Sequence, residues 1–344
     1  MHLDVWNQSY EQLIFLQDRS IGLKAIIAID STKLGPSLGG CRFWQYASDE
    51  AAVLDALRLA QGMTYKSAIS GLPFGGGKAV ILSQPGQSSR EILFRALGQH
   101  IQNLQGSYIT GMDLGTDVSD MDWVRLETPY VTDVSGSLGA VNDLTAKMTA
   151  YGVFLGIQAS LKTVYGSENM QQKIIAVQGL GKVGYQLCRY LKHAGAELVV
   201  TDVDSKRVKK VVEEFGAMPC KPDVIMRIPC DVFSPCALGG ILNDFTLGQL
   251  DCSIVAGAAN NQLAEIRHGE KLHELGILYA PDYVINAGGI IVTSVELIGG
   301  DAATAQRKVE KINGTLLNVF QTADEHGIST AAAANQIVEQ MLKG

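Results

Sequence analysis

Two lysines, Lys66 and Lys78, stand 78 − 66 = 12 positions apart in MTYKSAISGLPFGGGK, and the second follows three consecutive glycines. A lone lysine is most often a solvated surface charge. Glycines, however, let neighbouring backbone and a substrate come close, and an amine shut away from water there loses its preference for the charged form. A second ammonium in the same cleft pushes in the same direction. Further along, ITGMD ends in Asp113, which by itself would be read as a turn cap. Together the three residues fit one reaction. Oxidative deamination of an amino acid needs a cation for the substrate carboxylate, a base that activates water for attack on an imine, and an acid that shuttles protons. Lys66, Lys78 and Asp113 supply those roles in that order.

A second group of residues points to a nucleotide. Gly179, Gly181 and Gly184 make GxGxxG in VQGLGKVG, between an apolar strand and a helix that opens with Lys182 and Val183. The first glycine permits the tight turn, the second lets backbone approach a pyrophosphate, and the third lets helix and strand pack closely. The free N–H groups of the helix start then face the phosphates. In a chain with 37 glycines the motif alone is weak, and its context strengthens it. The next strand ends in Asp202, 202 − 179 = 23 residues after the first glycine, close to the spacing of ~20 at which an acid binds the ribose hydroxyls. An acid there repels a 2′-phosphate and favours NAD. Lys206 and Arg207 leave NADP as a lesser alternative, and Asp202 as a mere cap of the next helix is the plain alternative.

These groups require an α/β scaffold. LKAIIAI, Leu23 to Ile29, reads as a strand, and Ser48 as the cap of a helix running toward Lys66. AVIL, Ala79 to Leu82, is a short strand after the glycines; a helix follows from about Ser89 to Leu104, and the strand SYIT delivers Asp113. From KIIAVQ onward, strands and helices alternate (AELVVTD, SKRVKKVVEEF, CDVFSP, SIVAGAAN, and a last strand near YVINAGG), which predicts a parallel sheet covered on both faces. The expected architecture is α/β in two domains: a substrate-binding and oligomerisation domain over 1–136, with a terminal helix over 328–344 packing back on it, and a Rossmann-like dinucleotide-binding domain over 137–327. The small, turn-forming residues of DVSGSLGAVND, Asp133 to Asp143, mark the crossing.

Composition narrows the class. A chain of 344 residues exceeds what one core usually holds, and its net charge of −7 would repel a phosphate backbone. No nucleic acid or membrane is expected as a partner, and the N-terminus lacks a basic leader followed by an apolar run. The six cysteines show no CxxC pairing and no Cys/His cluster, so no metal is expected, and reduced thiols in a cytoplasmic protein are. None of the six histidines lies in a catalytic pattern; His193, His268 and His273 read as surface or capping residues.

The strings LGPSLGGCR, DALRLAQGMTYK, GLPFGGGKAVI, ITGMDLGT, VQGLGKVGY, SPCALGG, AGAANNQL and LYAPDYVINAGG occur in an order that resembles the glutamate/leucine/phenylalanine/valine dehydrogenase family, in its leucine and phenylalanine branch. The resemblance covers nearly the whole chain. It implies NAD-dependent, reversible conversion of an apolar L-amino acid to its 2-oxo acid and ammonia. It implies that Lys66 and the Gly39-Gly40 backbone hold the substrate carboxylate, that Lys78 is the base for water and that Asp113 is its proton-transfer partner. Asn261 would lie beside the substrate amine and Asn260 would support the cofactor ribose. Thr149, Asn286 and the Cys236-Ala237 backbone would contact the nicotinamide end. A cleft between the domains is implied, as is an apolar side-chain pocket lined by Leu38, Gly111, Ile290 and Thr293. Gly111, where leucine-preferring relatives tend to carry alanine, makes room for a ring and tips the expectation toward phenylalanine over leucine or valine; Ile290 narrows the pocket again. Asn142, Asp143 and Lys147 depart from the family pattern, so nothing between Gly139 and Lys147 is carried over. The chain ends at Gly344, short of relatives with an assembly tail, and a homo-oligomer is expected, a dimer rather than an octamer. The competing readings are a 2-hydroxy acid dehydrogenase, which would want a histidine–carboxylate pair and an arginine, and an NAD-binding regulatory protein without chemistry.

Overall fold

The long apolar run from Leu23 has no polar face because both of its faces are covered. The computed structural model describes residues 10–343, so the reading of the first nine residues falls outside it. Strands β1 (Gln12–Asp18), β2 (Leu23–Ser31), β3 (Ser37–Leu38), β4 (Cys41–Trp44), β5 (Gly75–Leu82) and β6 (Tyr108–Ile109) form one sheet in the order β1-β2-β5-β3-β6, with β4 also paired to β5. Pairing is antiparallel from β1 through β5 and parallel among β3, β4, β5 and β6. On β2, Ala25, Ile27 and Ile29 join a core with Leu93, Phe94 and Leu97 of helix α2 (Arg90–Asn103). The alternate residues Ile26 and Ala28 pack with Ala52, Val53 and Ala56 of helix α1 (Asp49–Ile69). Ser48 caps α1 by accepting the Ala51 N–H, as expected. A short helix α3 (Val118–Arg125) is closed by a capping box between Asp117 and Asp120.

Strand β5 is longer than the AVIL segment: it begins at Gly75 and is buried along its whole length. The glycines are part of the strand because nothing larger fits. A Cβ on Gly75 would lie 1.8 Å from the Ser31 carbonyl oxygen, one on Gly76 2.1 Å from the Thr64 nitrogen, and one on Gly77 2.8 Å from the Tyr108 ring. Sheet and helix α1 thus meet at backbone distance beside Lys78.

The second unit is built on α4 (Leu144–Tyr165), β7 (Ile174–Gln178), α5 (Lys182–His193), β8 (Glu197–Thr201), α6 (Ser205–Phe215), β9 (Met218–Pro219), β10 (Cys230–Pro235), β11 (Cys252–Val255), α7 (Arg267–Glu274) and β12 (Leu278–Tyr279). Its sheet is wholly parallel in the order β12-β11-β10-β7-β8-β9. Strand order reverses between β7 and β10, and in such sheets ligands bind beyond the carboxyl ends of the strands at that switch point.

Three expectations about this unit are corrected. YVINAGG is helical: Pro281 fixes φ at the start of α8 (Asp282–Ile285), and α9 (Gly288–Leu297) follows, while Leu278–Tyr279 supplies the last strand. Helix α12 (Thr330–Lys343), preceded by α10 (Ala302–Val309) and α11 (Lys311–His326), belongs to the second unit. Its buried Ala333, Ala334 and Val338 face inward, Thr330 Oγ1 donates to the Tyr279 carbonyl at 2.6 Å, and the Tyr283 hydroxyl donates to Asn335 at 2.9 Å. The division between units falls after Asn142 rather than after residue 136, and residues 296–299 group with the first unit. Ser135, whose N–H and hydroxyl both bond to Asp122, ties that stretch to the first unit. Among the described residues no helix is long and apolar enough to cross a membrane.

Replacing Gly76 by alanine is expected to cost about 3 kcal/mol, because the new methyl meets helix backbone that cannot move without opening the sheet. Gly62 on α1 has open space around its Cβ position, and Gly62→Ala should instead raise stability by about 0.5–1 kcal/mol. Denaturant midpoints of the two variants test the contrast; equal losses would contradict it.

Candidate active site

Lys78 sits in the middle of β5, only 4% exposed, with its Nζ 3.1 Å from Asp113 Oδ2. The carboxylate arrives from the chain beyond β6, where Met112 bridges Cys41 and the Asp113 N–H donates to Thr116 Oγ1 at 2.8 Å. Arg42, on the neighbouring parallel strand β4, places Nε 2.8 Å from the same Asp113 oxygen. Its Nη1 reaches Asp55 of α1 at 2.8 Å, and Asp55 accepts the Tyr46 hydroxyl at 2.5 Å. A chain of charge therefore runs Tyr46–Asp55–Arg42–Asp113–Lys78.

Arg42 was not singled out from the sequence. Its one signal there is position, two residues after the Gly39-Gly40 pair in GGCR.

The consequences for titration follow from this geometry. Burial drives the Lys78 amine below the ordinary lysine range and Arg42 adds to the effect, while the Asp113 charge partly opposes it. Burial works to raise Asp113, but the charges of Lys78 and Arg42 outweigh it and hold the carboxyl below its usual value. The result is an amine that gives up its proton more readily than a free lysine, beside a carboxylate that stays ionised.

Gly39 and Gly40 join β3 to β4 at van der Waals contact with both partners. A Cβ on Gly39 would fall 1.8 Å from the Gly77 carbonyl oxygen and 3.2 Å from Met63, and one on Gly40 2.2 Å from the Met112 oxygen and 3.1 Å from Asp113 Cβ. Lys66 is half-buried in the last turn of α1, one turn after Met63. Leu38 is buried in β3. Around Gly111 the expected open space is filled by the chain itself: a methyl there would lie 2.5 Å from Thr132 Oγ1 and 2.6 Å from Asp133 Oδ2. Asp133 is held in place by the Met112 N–H at 2.9 Å.

In the second unit the glycine motif divides as its spacing predicts. Gly179 has φ +98° and its Cβ would meet Ala237 at 2.8 Å; a Cβ on Gly184 would lie 1.9 Å from the Gly179 carbonyl. Gly181, at the start of α5, looks into open space, its nearest neighbour Arg207 Nη1 at 3.9 Å. That opening, at the start of α5 beside Lys182 and Val183, has room for a ligand phosphate. The Lys182 side chain turns aside to Asp143 at 2.7 Å. Asp202 accepts the Leu180 N–H at 2.6 Å and the Asp204 N–H at 2.8 Å, with Arg207 3.8 Å away. It forms one wall of an apolar slot of about 500 Å³ lined also by Val203, Pro222, Leu238 and Ile241. Cys236 donates its N–H to Gln178, which sets Cys236-Ala237 at the switch point.

The residues that the resemblance assigns to the nicotinamide end have these surroundings. Asn286 donates to Ala258 O at 3.1 Å and to Asn260 Oδ1 at 2.7 Å, while its own Oδ1 is buried without a partner. A buried amide oxygen left so is costly and suits a ligand N–H. Asn261, at φ +50°, follows Asn260 in a turn braced by Gln262, which donates to Gly257 O and Ala259 O. Thr149 lies beside Gly289, whose Cβ would be 3.2 Å from Thr149 Oγ1. Ile290 and Thr293 occupy one half-buried face of α9. These features fit a dinucleotide. His268 is buried rather than on the surface, its Nδ1 accepting the Glu265 N–H, which keeps the expected capping role.

Comparison with known proteins adds to this geometry. Residues 12–130 match the Glu/Leu/Phe/Val dehydrogenase dimerisation domain, and residues 139–208 and 203–342 the Glutamate/Leucine/Phenylalanine/Valine dehydrogenase domain. The chain is 50% identical to leucine dehydrogenase of Bacillus subtilis over 97% of its length and 92% of that protein. It is 44% identical to phenylalanine dehydrogenase of Caldalkalibacillus thermarum, over 97% of this chain and 91% of that one. The crystal structure of L-tryptophan dehydrogenase from Nostoc punctiforme superposes with a TM-score of 0.87 at 42% identity, covering 98% of this chain and 97% of that one.

Two glycine substitutions separate ligand contact from folding. Gly181→Ala should melt like the parent yet bind the dinucleotide at least about tenfold more weakly, a loss of about 1.4 kcal/mol. Gly184→Ala should unfold at lower denaturant, since its methyl collides with the turn. Fluorescence titration with the nucleotide beside a denaturant curve checks both; a Gly181→Ala chain that binds normally would remove the phosphate assignment.

Proposed function

The chain belongs to the glutamate/leucine/phenylalanine/valine dehydrogenase family and is an amino-acid dehydrogenase, an oxidoreductase acting on the CH–NH2 group, and from that premise we propose that it uses NAD to convert an apolar L-amino acid reversibly to its 2-oxo acid and ammonia. The observation that carries this reading is the buried Lys78–Asp113 pair with Arg42 on its far side.

In this mechanism the Lys66 ammonium and the Gly39-Gly40 backbone hold the substrate carboxylate. NAD, held by the second unit, would supply the hydride acceptor for oxidation at the substrate α-carbon. Neutral Lys78 then takes a proton from water as it attacks the resulting imine carbon, and Asp113 relays protons to the departing amine. Asn261 orients the amine. Desolvation keeps the Lys78 base available at moderate pH, and Arg42 keeps Asp113 ionised. Lys66, Lys78, Asp113, Gly39, Gly40, Leu38 and Gly111 belong to the first unit; the cofactor residues, Asn261, Ile290 and Thr293 belong to the second. Gly179, Gly181, Lys182, Val183 and Gly184 would hold the pyrophosphate, Asp202 and Asn260 the riboses, and Thr149, Cys236-Ala237 and Asn286 the nicotinamide. Asp202 with its two backbone donors favours a ribose hydroxyl over a phosphate, hence NAD over NADP.

For the substrate side chain we favour leucine and other branched aliphatics. The argument for a ring rested on space at Gly111, and Thr132 and Asp133 take that space; leucine dehydrogenases are also the relatives at 50% identity. An aromatic substrate is the second reading, supported by the likeness to tryptophan and phenylalanine dehydrogenases. A homodimer through the exposed edge strand β1, where Phe15 is 65% exposed, and a cytoplasmic location complete the proposal.

NADH formation with a panel of L-amino acids and 2-hydroxy acids should show leucine ahead of phenylalanine and no hydroxy-acid activity. Lys78→Ala should lower the rate about 10²–10⁴-fold; activity that survives it, or a hydroxy acid as the best substrate, would end the proposal.

The pH dependence gives a sharper test. Deamination needs neutral Lys78, so kcat/KM should climb with pH and level off below the ordinary lysine value of 10.5. Asp113 favours the ammonium and Arg42 opposes it. Asp113→Asn should therefore move the limb to lower pH and Arg42→Gln to higher pH, whatever each does to the plateau. Displacement in a common direction would mean that another group is being titrated.

A further inference from the structure

We propose that Cys230 and Cys252 form a redox-active dithiol that closes to an intrachain disulfide by exchange with a low-molecular-weight disulfide. The two residues are 252 − 230 = 22 positions apart, so no sequence spacing announces them, yet they are direct register partners at the first residues of the adjacent parallel strands β10 and β11. Neighbouring strands lie ~4.8 Å apart, inside the ~4.4–6.8 Å between Cα atoms that a disulfide spans. Side chains of paired residues leave a sheet on the same face, and both thiols are only partly buried. They open on a cavity of about 410 Å³ walled by Leu247, Leu250, Leu275 and Ile277. The other cysteines lack this combination: Cys41 and Cys188 are fully buried, and Cys220 and Cys236 lie elsewhere in the unit.

The pair is also chemically unequal. Set opposite each other by strand register, the two thiols act on one another, the Cys252 thiol being held below and the Cys230 thiol above their usual range. Cys252 is accordingly the nucleophile. Its thiolate attacks the reagent disulfide, forming a mixed disulfide and expelling one thiolate. Cys230, giving its proton to solvent, then attacks Cys252 Sγ, closing the protein disulfide and expelling the second reagent thiol. Two protein thiols are oxidised and one reagent disulfide is reduced to two thiols. Asp251 adjoins Cys252, while Asp231 beside Cys230 is paired with Lys173 at 2.9 Å. The site lies at the amino ends of the strands, whereas Cys236-Ala237 and Asn260-Asn261 follow their carboxyl ends. Oxidation there leaves the dinucleotide turn itself untouched.

The test is incubation of the full chain with bis(2-hydroxyethyl) disulfide, followed by non-reducing digestion and mass spectrometry. The expected result is loss of two thiols per chain, a peptide joining Cys230 to Cys252, and full reversal by dithiothreitol. Cys230→Ser should instead stop at a stable mixed disulfide on Cys252, and Cys252→Ser should react several-fold more slowly at Cys230. The proposal is overturned if the parent keeps both thiols while Cys220 reacts, or accumulates separate mixed disulfides without the joined peptide. Comparable rates for the two serine variants would overturn the assignment of Cys252 as nucleophile.

Discussion

One carboxylate shared by two cations governs the first unit. Asp113 meets Lys78 and Arg42 on a single oxygen, in surroundings where an unpaired charge would cost several kcal/mol. With Asp55 behind Arg42 the cluster holds two positive and two negative charges and is neutral while Lys78 is protonated. Loss of that proton leaves a net negative charge. The arrangement is thus a compromise: Asp113 alone would lock Lys78 as an ammonium, and Arg42, by drawing on the same carboxylate, loosens that hold. Asp55 and Tyr46 in turn decide how much of the Arg42 charge is left to act.

Such a cluster can exist only if backbone closes around it. Gly39, Gly40, Gly76 and Gly77 each bring main chain to a distance that no side chain permits. The strand that carries the base therefore gives up packing at its first three residues and takes desolvation of Lys78 in return. The second unit uses glycine for two distinct ends: Gly179 and Gly184 let chain touch chain, and Gly181 leaves a space for something that is not chain. The same residue type marks a contact in one place and an open surface in the other.

Much of this was legible in the sequence. The apolar run of β2, the Ser48 cap, the Gly179–Gly184 turn and the arrival of Asp113 after β6 all follow local rules that the fold respects. The Lys78–Asp113 pairing was readable as chemistry. What escaped were relations set by strand alignment. Arg42 reaches Asp113 because β4 lies parallel to β5, and nothing within CRFW states that. The apolar YVINAGG suits a strand or a buried helix equally, and Pro281 and the packing decided for the helix. The face of α12 is made of alanines, which specify close packing without naming the partner. Cys230 and Cys252 are neighbours only through register.

Gly111 shows why a pocket resists being read one residue at a time. Taken alone, its missing methyl reads as volume handed to the substrate. In the fold that volume belongs to Thr132 and to Asp133, whose carboxylate in turn secures the Met112 N–H one residue before Asp113. A methyl at 111 would press on the positioning of Asp113 before it pressed on any substrate. Discrimination among apolar side chains amounts to only ~1–3 kcal/mol per methylene, a scale that a small displacement of this loop can match. On the proposed reading, a change at position 111 would therefore act on the 111–113 segment as a unit rather than on a single pocket residue.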